Sequence, residues 1–484
     1  MSSIEPSPAI VWFRQDLRLA DNPALAAAIQ SGGPIVPIYI LDEAGEGEWP
    51  MGGATRWWLH HALKDLDSQL EALGTRLILR SGSSLEVLKD LVQETGASAV
   101  YWNRRYEPAA IARDQSIKTE LQSLELEVKS FNASLLHEPH TTLKKDGTPY
   151  KVFTPYWKFC LTKAKASVVE VAMDRASFHQ PMVESDSLDA WALLPTIKWD
   201  THFYDAWKPT REGGIALLRA CVKGKLSGYD VGRDQMGEDG TSKLSPYLHF
   251  GQLGPREIWH AVMDAASPEN KNVRRYLAEI GWREFSYYLL YHFPHLPESP
   301  LRPEFEDFPW QKDEGLLQAW QRGQTGFPVV DAGMRQLWAT GWMHNRARMI
   351  CASLLVKHLL QPWQAGARWF WDTLVDADLA SNTQGWQWTA GCGADASPYF
   401  RVFNPILQGL KFDPDGDYVR RWIPELSKLP NSKIHCPWDA DALELADAGI
   451  TLGKDYPFPI IDHAAGRARE LKAYELFKVS SAKP

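Results

Sequence analysis

The stretch from Asp376 to Pro405 reads DADLASNTQGWQWTAGCGADASPYFRVFNP, and it is unlike an ordinary core helix or strand. It places acids, amides, two tryptophans and an arginine among small residues. Three glycines close to the tryptophans let the backbone approach something bulky and flat. Trp386 and Trp388 are two positions apart, so they cannot share one helix face. We interpret the stretch either as a glycine-rich loop with buried aromatic side chains or as the wall of a pocket for a flat ligand.

The composition is that of a globular chain with an excess of tryptophan. Its 484 residues are 44% hydrophobic and 23% charged, which favours two or more domains. The 22 tryptophans indicate either an aromatic-rich core or a protein that handles flat ligands or electrons. Because the net charge is -8, any contact with DNA has to use a local group of arginines within an acidic whole.

The five cysteines are scattered, and none forms a CxxC pair. This favours a reduced cytoplasmic protein with neither a disulfide framework nor a metal site. The N-terminal sequence MSSIEPSPAIVWF lacks the features of a signal peptide. No uninterrupted apolar stretch is long enough to cross a membrane.

The first 134 residues alternate between short apolar runs and helical patterns. We predict strands at Ala9–Phe13, Ile35–Leu41, Arg76–Leu79, Ala99–Trp102 and Glu127–Phe131, with helices between them. Such alternation predicts βαβ units and a Rossmann-like parallel sheet covered on both faces. The turn at 14–18 has no GxGxxG motif, so a dinucleotide held there in the usual way is not expected.

The chain changes character twice after residue 134. From 135 to 210 no period is sustained, and we predict a long interdomain connection over the surface. From 211 to 484 helical periodicity dominates, and we predict a helical domain. Its main predicted helices are Gly214–Leu226, Gly254–Ala266, Val273–Tyr291, Glu314–Gly323, Val330–Thr340, Met343–Leu360, Ala365–Leu374 and Ala464–Phe477.

Hydroxyl side chains cluster in the segment GTSKLSPYLHFG at 240–251, just before a predicted helix. Free amides and hydroxyls at a helix start can bind an anion. The ordinary role of a single serine there is a plain N-cap. Three hydroxyls, at Thr241, Ser242 and Ser245, favour a diphosphate.

One predicted helix collects polar and aromatic groups on a single side. Tyr276, Glu279, Trp282 and Arg283 follow the spacing of one helix face. This pattern indicates either a pocket wall or an ion pair between Glu279 and Arg283 on a solvated face.

The segment WMHNRARM at 342–349 opens another predicted helix. Asn345 and Met349 are four positions apart and share a face. An amide and a soft thioether on one face suit contact with a flat ring. Arg346 and Arg348 project elsewhere, as surface arginines often do.

Together, these segments resemble the photolyase/cryptochrome family over nearly the whole chain. The similarity is carried by WFRQDLRLADNPAL, YKVFTPYWK, TSKLSPYLHFG, EIGWREF, WMHNRARM, DADLASN, GWQW and FDPDGDYVRRWIPEL. The resemblance implies an α/β antenna domain at 1–134, an interdomain linker at 135–210 and a helical FAD-binding domain at 211–484.

The resemblance also implies which residues serve the cofactor. FAD would contact Tyr229, Thr241, Ser242, Lys243, Leu244, Ser245, Arg283, Arg348, Asp376, Ala377, Asp378 and Asn382. Asn382 would face flavin N5, and Arg348 would pair with Asp376. The electron-carrying tryptophans would be Trp386, Trp363 and Trp310, with core packing as the ordinary alternative for each indole. Trp342 and Tyr399 could form a side branch.

The implied activity is light-driven repair of cyclobutane pyrimidine dimers. In repairing members, light excites reduced FAD, an electron passes to the dimer and returns after the ring splits. Photolyases reach their target by flipping it out of the duplex. The catalytic residues would be Glu279, Asn345, Met349 and Asn382. The residues that hold the dimer and its DNA would be Arg233, Glu279, Trp282, Asn345, Arg346, Met349, Trp388 and Arg401.

The branch of the family is indicated by individual positions. GGATRWWLHHALKDLDSQLEALGT and FNASLLHEPH resemble plant cryptochromes and class III bacterial photolyases. Asn382 stands where plant cryptochromes have Asp, Trp388 stands where they have Tyr, and no long C-terminal tail follows. Asn345 and Met349 replace the histidines typical of (6-4) photolyases.

We therefore predict a monomeric photolyase specific for cyclobutane dimers in UV-damaged DNA. A blue-light receptor on the same fold is the alternative. A flavoprotein electron carrier is a third interpretation, but it leaves the pocket of arginines and tryptophans without a purpose. Methenyltetrahydrofolate is the favoured antenna chromophore, with a deazaflavin or a flavin as alternatives.

Overall fold

The computed structural model describes residues 6–163, 167–179, 183–396 and 401–481. These residues include a sheet of five parallel strands in the order β3-β2-β1-β4-β5. The strands are β1 (Ala9–Phe13), β2 (Ile35–Leu41), β3 (Ile78–Ser81), β4 (Ala99–Asn103) and β5 (Glu127–Phe131). All five predicted strands are present, and only β3 is displaced, by two residues. The predicted α/β class of the N-terminal region is confirmed.

The described ranges contain twenty α-helices. They are α1 (Pro23–Ser31), α2 (Gly53–Glu71), α3 (Ser84–Thr95), α4 (Pro108–Ser123), α5 (Phe153–Thr162), α6 (Phe203–Ala206), α7 (Arg211–Ala220), α8 (Tyr229–Gly232), α9 (Ser245–His249), α10 (Pro255–Ala265), α11 (Lys271–His292), α12 (Glu314–Gln321), α13 (Pro328–Thr340), α14 (Asn345–Ser353), α15 (Trp363–Thr373), α16 (Leu379–Ala390), α17 (Pro405–Phe412), α18 (Asp417–Trp422), α19 (Ala442–Ala448) and α20 (His463–Ser481). The helical class predicted for the C-terminal region is confirmed.

The sheet is covered on both faces, as parallel sheets require. On one face, Ile10 and Trp12 of β1 pack with Leu88 of α3 and Ile117 of α4. The opposite face belongs to a hydrophobic cluster that continues into the helical region through α9, α10 and α11. The two parts of the chain therefore share a continuous core.

The segment predicted as a surface connection is partly buried. Helix α5 lies within it, and Tyr156, Trp157 and Cys160 of that helix are buried. These aromatic side chains pack against α11, so they remove apolar area from water and do not lie in a surface loop. That part of the prediction was wrong, while the domain boundaries at 134 and 210 stay predictions.

The stretch from Asp376 to Pro405 contains a helix, α16, where a glycine-rich loop was one interpretation. Asp378 caps its start by accepting a hydrogen bond from Ser381 N, and Gly391 ends it with φ 86°. The placement of Trp388 on a loop was therefore wrong. As expected, Trp386 and Trp388 point in different directions, because Trp386 is buried and Trp388 is half-buried.

The loop before α2 fixes the sheet region against α15. Trp371 Nε1 donates to Pro50 O at 2.6 Å, and Gly53 N donates to Asp372 Oδ1 at 2.8 Å. A Cβ on Gly52 would lie 2.4 Å from Asp372 Cα, so glycine permits this approach. Among the described helices, none combines the length and apolar character that crossing a bilayer requires.

Candidate functional site

Charged contacts tie the predicted site segments to one another. Lys243 Nζ of the loop at 240–245 lies 5.8 Å from the centre of the Trp342 ring, just before α14. From α14, Arg346 Nε donates to Asp234 Oδ1 at 2.8 Å, and Asp234 follows α8. The loop, α8 and α14 are therefore neighbours in space although far apart in sequence.

Asp378, the cap of α16, joins three helices. Its carboxylate accepts hydrogen bonds from Ser381 N and from the Tyr287 hydroxyl of α11. His249 Nδ1 of α9 lies 3.8 Å from the same carboxylate. Burial acts to raise the pKa of Asp378, but His249 and the charge of Arg283 outweigh it and hold that pKa well below its usual value. Asp378 is therefore ionised and fixed in orientation.

Arg348 and Asp376 form the ion pair that was predicted beside the flavin. Arg348 Nη2 lies 3.0 and 2.8 Å from the two carboxylate oxygens, and its Nε donates to Met343 O at 2.8 Å. The Asp376 side chain is 3% exposed and that of Arg348 is 24% exposed, so the carboxylate is shielded from water while the arginine is partly accessible. It connects α14 to the residues just before α16.

Asn382 is held by α15. Its Nδ2 donates to Ala367 O at 3.0 Å, which fixes the amide plane. Its Oδ1 accepts no hydrogen bond from the described residues, so this oxygen is available to another group. Whether that group is flavin N5 stays a prediction.

Glu279 on α11 sits among arginines. Its Oε1 lies 3.1 Å from Arg233 Nη1 and 3.9 Å from Arg275 Nε. Burial raises the pKa of the Glu279 carboxyl, and the charge of Arg233 only partly offsets this. The ion pair considered between Glu279 and Arg283 is absent, because Arg283 Nη1 instead donates to Ser134 O at 2.6 Å.

Neighbouring side chains hold the candidate phosphate loop at 240–245 in place. Lys225 Nζ donates to Thr241 O at 2.9 Å, and the Ser242 side chain lies near the Tyr276 hydroxyl. The Tyr276 ring in turn meets the Tyr229 ring edge-on, with centroids 4.9 Å apart. In the rest of the loop, Lys243 is half-buried, Leu244 is buried and Ser245 is exposed. The backbone is therefore fixed while the hydroxyls of Thr241 and Ser245 have no partner among the described residues.

An indole on α11 and an amide and a thioether on α14 make up the rest of the predicted pocket. Trp282 stacks on Phe153, with ring centroids 3.7 Å apart. Asn345 Nδ2 lies 3.9 Å from Met349 Sδ, so these residues share one face as predicted. Trp388 is half-buried near the end of α16.

The three arginines predicted to hold phosphates have different surroundings. Arg401 is exposed. Arg233 is 7% exposed beside Glu279, and Arg346 is 18% exposed beside Asp234. A phosphate at either of these two would share or replace an existing acidic partner.

The proposed electron-carrying tryptophans run from the core to the surface. Trp386 and Trp363 are buried, and Trp310 is half-buried. A Cβ on Gly366, one turn from Trp363, would lie 2.0 Å from the Trp386 ring, so the ring touches α15 directly. Gln311 N donates to Leu360 O at 2.7 Å, which brings the segment of Trp310 to the start of α15.

The side branch is only partly described. Trp342 is buried, and its ring lies near His344, with centroids 6.3 Å apart. Tyr399 lies outside the described residues. An electron route through these two residues stays a prediction.

Several residues that shape the site were not predicted. These are Phe153, Asp234, His249 and Tyr287. Phe153 and His249 occur in segments that carried the family resemblance, but nothing in those segments identifies their partners. Asp234 lies 112 positions from Arg346, and Tyr287 lies 91 positions from Asp378.

A separate cavity opens at the carboxyl ends of β1 and β2. Its lining includes Trp12, Arg14, Tyr39, Arg105 and Phe250. The Arg14 guanidinium lies 4.6 Å from the centre of the Trp12 ring. The carboxyl ends of the strands are where open α/β sheets bind ligands.

A five-stranded parallel sheet followed by helices that enclose charged and aromatic groups defines the architecture as an α/β region joined to a helical region. The model of the FAD binding domain of DNA photolyase matches residues 276–476, and the DNA photolyase model matches residues 9–174. The chain therefore belongs to the DNA photolyase family, and the predicted family is confirmed.

Named relatives cover the chain from end to end. The deoxyribodipyrimidine photo-lyase of Agrobacterium fabrum is 49% identical over 98% of this chain and 99% of that protein. Cryptochrome-1 of Arabidopsis thaliana is 40% identical over 96% of this chain and 70% of that protein. The crystal structure of a bacterial class III photolyase from Agrobacterium tumefaciens superposes with a TM-score of 0.95, at 48% identity, over 99% of both chains.

The residues fit FAD, the cofactor that the matched domain binds. The loop offers unpartnered hydroxyls for a diphosphate. The Arg348–Asp376 pair and the free oxygen of Asn382 suit the polar edge of a flavin ring. The contacts of individual residues with FAD stay predictions.

We expect Arg348→Lys to loosen the site, because one ammonium cannot contact Asp376 and Met343 O together as Nη2 and Nε of Arg348 do. The free energy of unfolding of the flavin-loaded protein should fall by about 1.5–3 kcal/mol, the range for a hydrogen bond to a charged group. Less flavin should remain after gel filtration. Arg219→Lys, at an arginine that is 74% exposed, is the matched control. Equal flavin retention in both variants would contradict the expectation.

Proposed function

We propose that this protein is a deoxyribodipyrimidine photo-lyase that uses light to repair cyclobutane pyrimidine dimers in DNA. The observation that carries the proposal is the placement of the predicted pocket residues on two helices. Glu279 and Trp282 lie on α11, and Asn345 and Met349 lie on α14. Arg233 and Asp234, directly after α8, contact Glu279 and Arg346 and so link the two helices. The full-length similarity to a named photo-lyase supports the enzyme class.

Reduced FAD, when bound, supplies the electron that light sends to the dimer and that returns once the ring has opened. The protein fixes the polar side chains around that cofactor before the reaction begins. Asp378 and the Arg348–Asp376 pair provide fixed charges, and Asn382 presents one polar edge. Because these groups are already paired, little reorganisation accompanies the reaction.

The lesion pocket combines polar and aromatic groups. Trp282 offers a ring face for a flipped base, and Trp388 supplies a second indole. The Glu279 carboxyl, whose pKa is raised by burial, keeps its proton to a higher pH than an exposed glutamate. A hydrogen bond from the protonated form of this carboxyl to a carbonyl of the dimer would matter most while the dimer carries an extra electron.

Contacts with DNA phosphates position the duplex on the protein and do not distinguish its base sequence. Arg401 is exposed and available for this role, and Arg233 and Arg346 are held beside the pocket by acids. Three local arginines explain how a chain with a net charge of -8 acts on DNA. Affinity for DNA should accordingly fall as salt is added.

We assign the cavity in the α/β region to an antenna chromophore. An indole, a tyrosine and a phenylalanine suit a flat ring, and the arginines suit polar or anionic groups. Methenyltetrahydrofolate is favoured, with a deazaflavin or a flavin as alternatives. We further propose that residues 1–134 form the antenna domain, 135–210 the linker and 211–484 the catalytic domain of a cytoplasmic monomer.

A blue-light receptor is the second candidate function. The similarity to Cryptochrome-1 of Arabidopsis thaliana favours it. Asn382 and Trp388 favour the enzyme, because plant cryptochromes carry Asp and Tyr there. The two functions differ in one activity, which is repair.

The fully reduced protein under blue light should restore thymine dimers in an oligonucleotide. It should leave (6-4) products unrepaired, because Asn345 and Met349 cannot give the acid–base help of histidine. The measurement is chromatography of the oligonucleotide before and after illumination, with a dark control. Intact thymine dimers after illumination would favour the receptor function.

Glu279→Ala and Trp282→Ala should separate catalysis from binding. Glu279→Ala should lower the repair yield at least about tenfold with a smaller loss of binding, because its hydrogen bond matters most to the charged dimer. Trp282→Ala should weaken binding by about 1–3 kcal/mol through lost stacking. Repair yield and dark binding are measured on the same duplex, and Trp338→Ala, which is 53% exposed, is the control. Equal losses of binding in both variants would contradict these roles.

Trp386→Phe should slow light-driven reduction of FAD and leave the cofactor bound. Phenylalanine fills most of the same space but is far harder to oxidise than an indole. The rate is followed by flavin absorbance under steady illumination with an external reductant. Trp320→Phe is the control, since that buried indole meets Trp386 edge-on at 6.1 Å without belonging to the proposed route. Unchanged photoreduction in Trp386→Phe would contradict the route.

Removal of the antenna chromophore should abolish near-ultraviolet absorbance beyond that of flavin. Met51→Trp, which narrows the cavity, should have the same effect while FAD remains bound. Absorbance spectra of protein purified with folate supplied provide the measurement. A protein that contains FAD alone under those conditions would count against folate.

A further inference from the structure

Phe153 covers one face of the Trp282 indole. Their ring planes are within 10° of parallel at 3.7 Å, which is van der Waals contact. Phe153 also stacks at 6.3 Å with Trp157 and meets Phe285 edge-on at 5.9 Å, so its own ring is held from two further sides. Since an indole has two faces, this stack leaves Trp282 one face for any other ring.

Close packing of α5 on α11 sets the position of the Phe153 ring over the Trp282 indole. The Trp157 ring lies against the backbone at Gly281, where a Cβ would meet Trp157 Cδ2 at 2.6 Å. Gly281 precedes Trp282 directly. The two helices therefore touch next to the indole, and Phe153 has little freedom to shift relative to it.

Asp395 holds the first turn of α5. Phe153 N donates to Asp395 Oδ2 at 3.2 Å. Val152, the N-cap residue, provides no side-chain hydrogen bond, so the carboxylate of Asp395 takes that place from another part of the chain. Asp395 has φ 47°, a conformation that few residues other than glycine adopt.

The turn before Asp395 is fixed to the end of α16. The backbone N–H groups of Gly391, Cys392 and Gly393 all donate to Gln387 O, at 3.0 to 3.1 Å. The Gln387 amide donates to Leu296 O and Ser299 O, at 2.7 and 2.9 Å. Gln387 immediately precedes Trp388. The end of the helix that carries Trp388 is thus connected through Asp395 to the residue that covers Trp282.

We infer that Phe153 and Asp395 are positioning residues for recognition of the lesion, an inference that rests on the proposed function. Phe153 fixes the plane of the Trp282 indole and leaves one face open to a pyrimidine base. Asp395 couples that plane to α16 and so to Trp388. Neither residue takes part in the chemistry; both set the geometry of the aromatic walls.

The test compares Phe153→Leu with Phe153→Tyr in the flavin-loaded, oxidised protein in the dark. The ratio of affinities for a dimer-containing duplex and for its undamaged counterpart should fall at least about fivefold in Phe153→Leu, the lower end of what stacking on one base contributes. Affinity for undamaged DNA should not change, because phosphate contacts supply it. Phe153→Tyr keeps the ring and should keep the ratio.

Phe159→Leu is the matched control, since Phe159 lies on the same helix and contacts Tyr150, away from Trp282. The Trp282→Ala and Phe153→Leu double variant should lose no more of the ratio than Trp282→Ala alone, because Phe153 acts through Trp282. Additive losses, or an unchanged ratio in Phe153→Leu, would overturn the inference. A wild-type protein without any preference for the dimer would instead overturn the proposed function.

Asp395→Asn provides an independent arm in case Phe153→Leu fails to retain FAD. The substitution keeps the size of the side chain and removes its charge at the start of α5. The affinity ratio should fall, by less than in Phe153→Leu, with the flavin content unchanged. A wild-type ratio in Asp395→Asn would overturn the coupling between α16 and the Phe153–Trp282 stack.

Discussion

A buried carboxylate must be paired, and the pairing of Asp378 governs how the helices around the candidate flavin site meet. An isolated ionised carboxyl inside a protein is strongly unfavourable unless hydrogen bonds and opposite charges surround it. Asp378 receives these from the backbone of α16, from Tyr287 of α11 and from His249 of α9. Three helices from distant parts of the chain are thereby held at one point.

The same constraint recurs around the rest of the pocket. Arg348 reaches Asp376, and Arg346 reaches Asp234, so α14 is held from two sides. Each pair joins separate elements, and breaking one partner would leave the other charge uncompensated. The site is consequently assembled before any ligand arrives, which suits a reaction that depends on fixed charges and distances.

This arrangement also accounts for how an acidic protein engages an anionic substrate. The arginines beside the pocket are kept there by acids, and they form a local positive group within a chain of net charge -8. A phosphate that exchanges with Asp234 at Arg346 replaces one anion by another.

Much of the fold could be predicted because burial imposes periodic patterns. Strands β1 and β2 begin and end where their apolar runs do, since a sheet covered on both faces requires continuous apolar residues in its central strands. Helix α16 escaped prediction because polar and glycine residues interrupt its apolar spacing, while its caps act through side-chain and backbone geometry. Helix α5 was missed for a similar reason, within a segment without sustained period.

The candidate site was predictable only where a resemblance supplied it. The spacing of Asn345 and Met349 shows that they share a face, but no spacing shows that Asp234 meets Arg346 or that His249 meets Asp378. Such partners are set by how helices pack, and many packings are compatible with the same local patterns. Phe153 illustrates this, because nothing around it in the sequence indicates the Trp282 ring that it covers.

We expect one preassembled site to hold both the flavin and a flipped-out lesion. A crystal structure of the flavin-loaded protein with a duplex that contains a thymine dimer tests it most directly. The expected result is a dimer outside the duplex, with a base on the open face of Trp282, Glu279 in contact with the lesion, and Arg346 on a phosphate. A dimer that remains stacked in the duplex, or that binds away from Trp282 while Arg346 still contacts Asp234 alone, would contradict it.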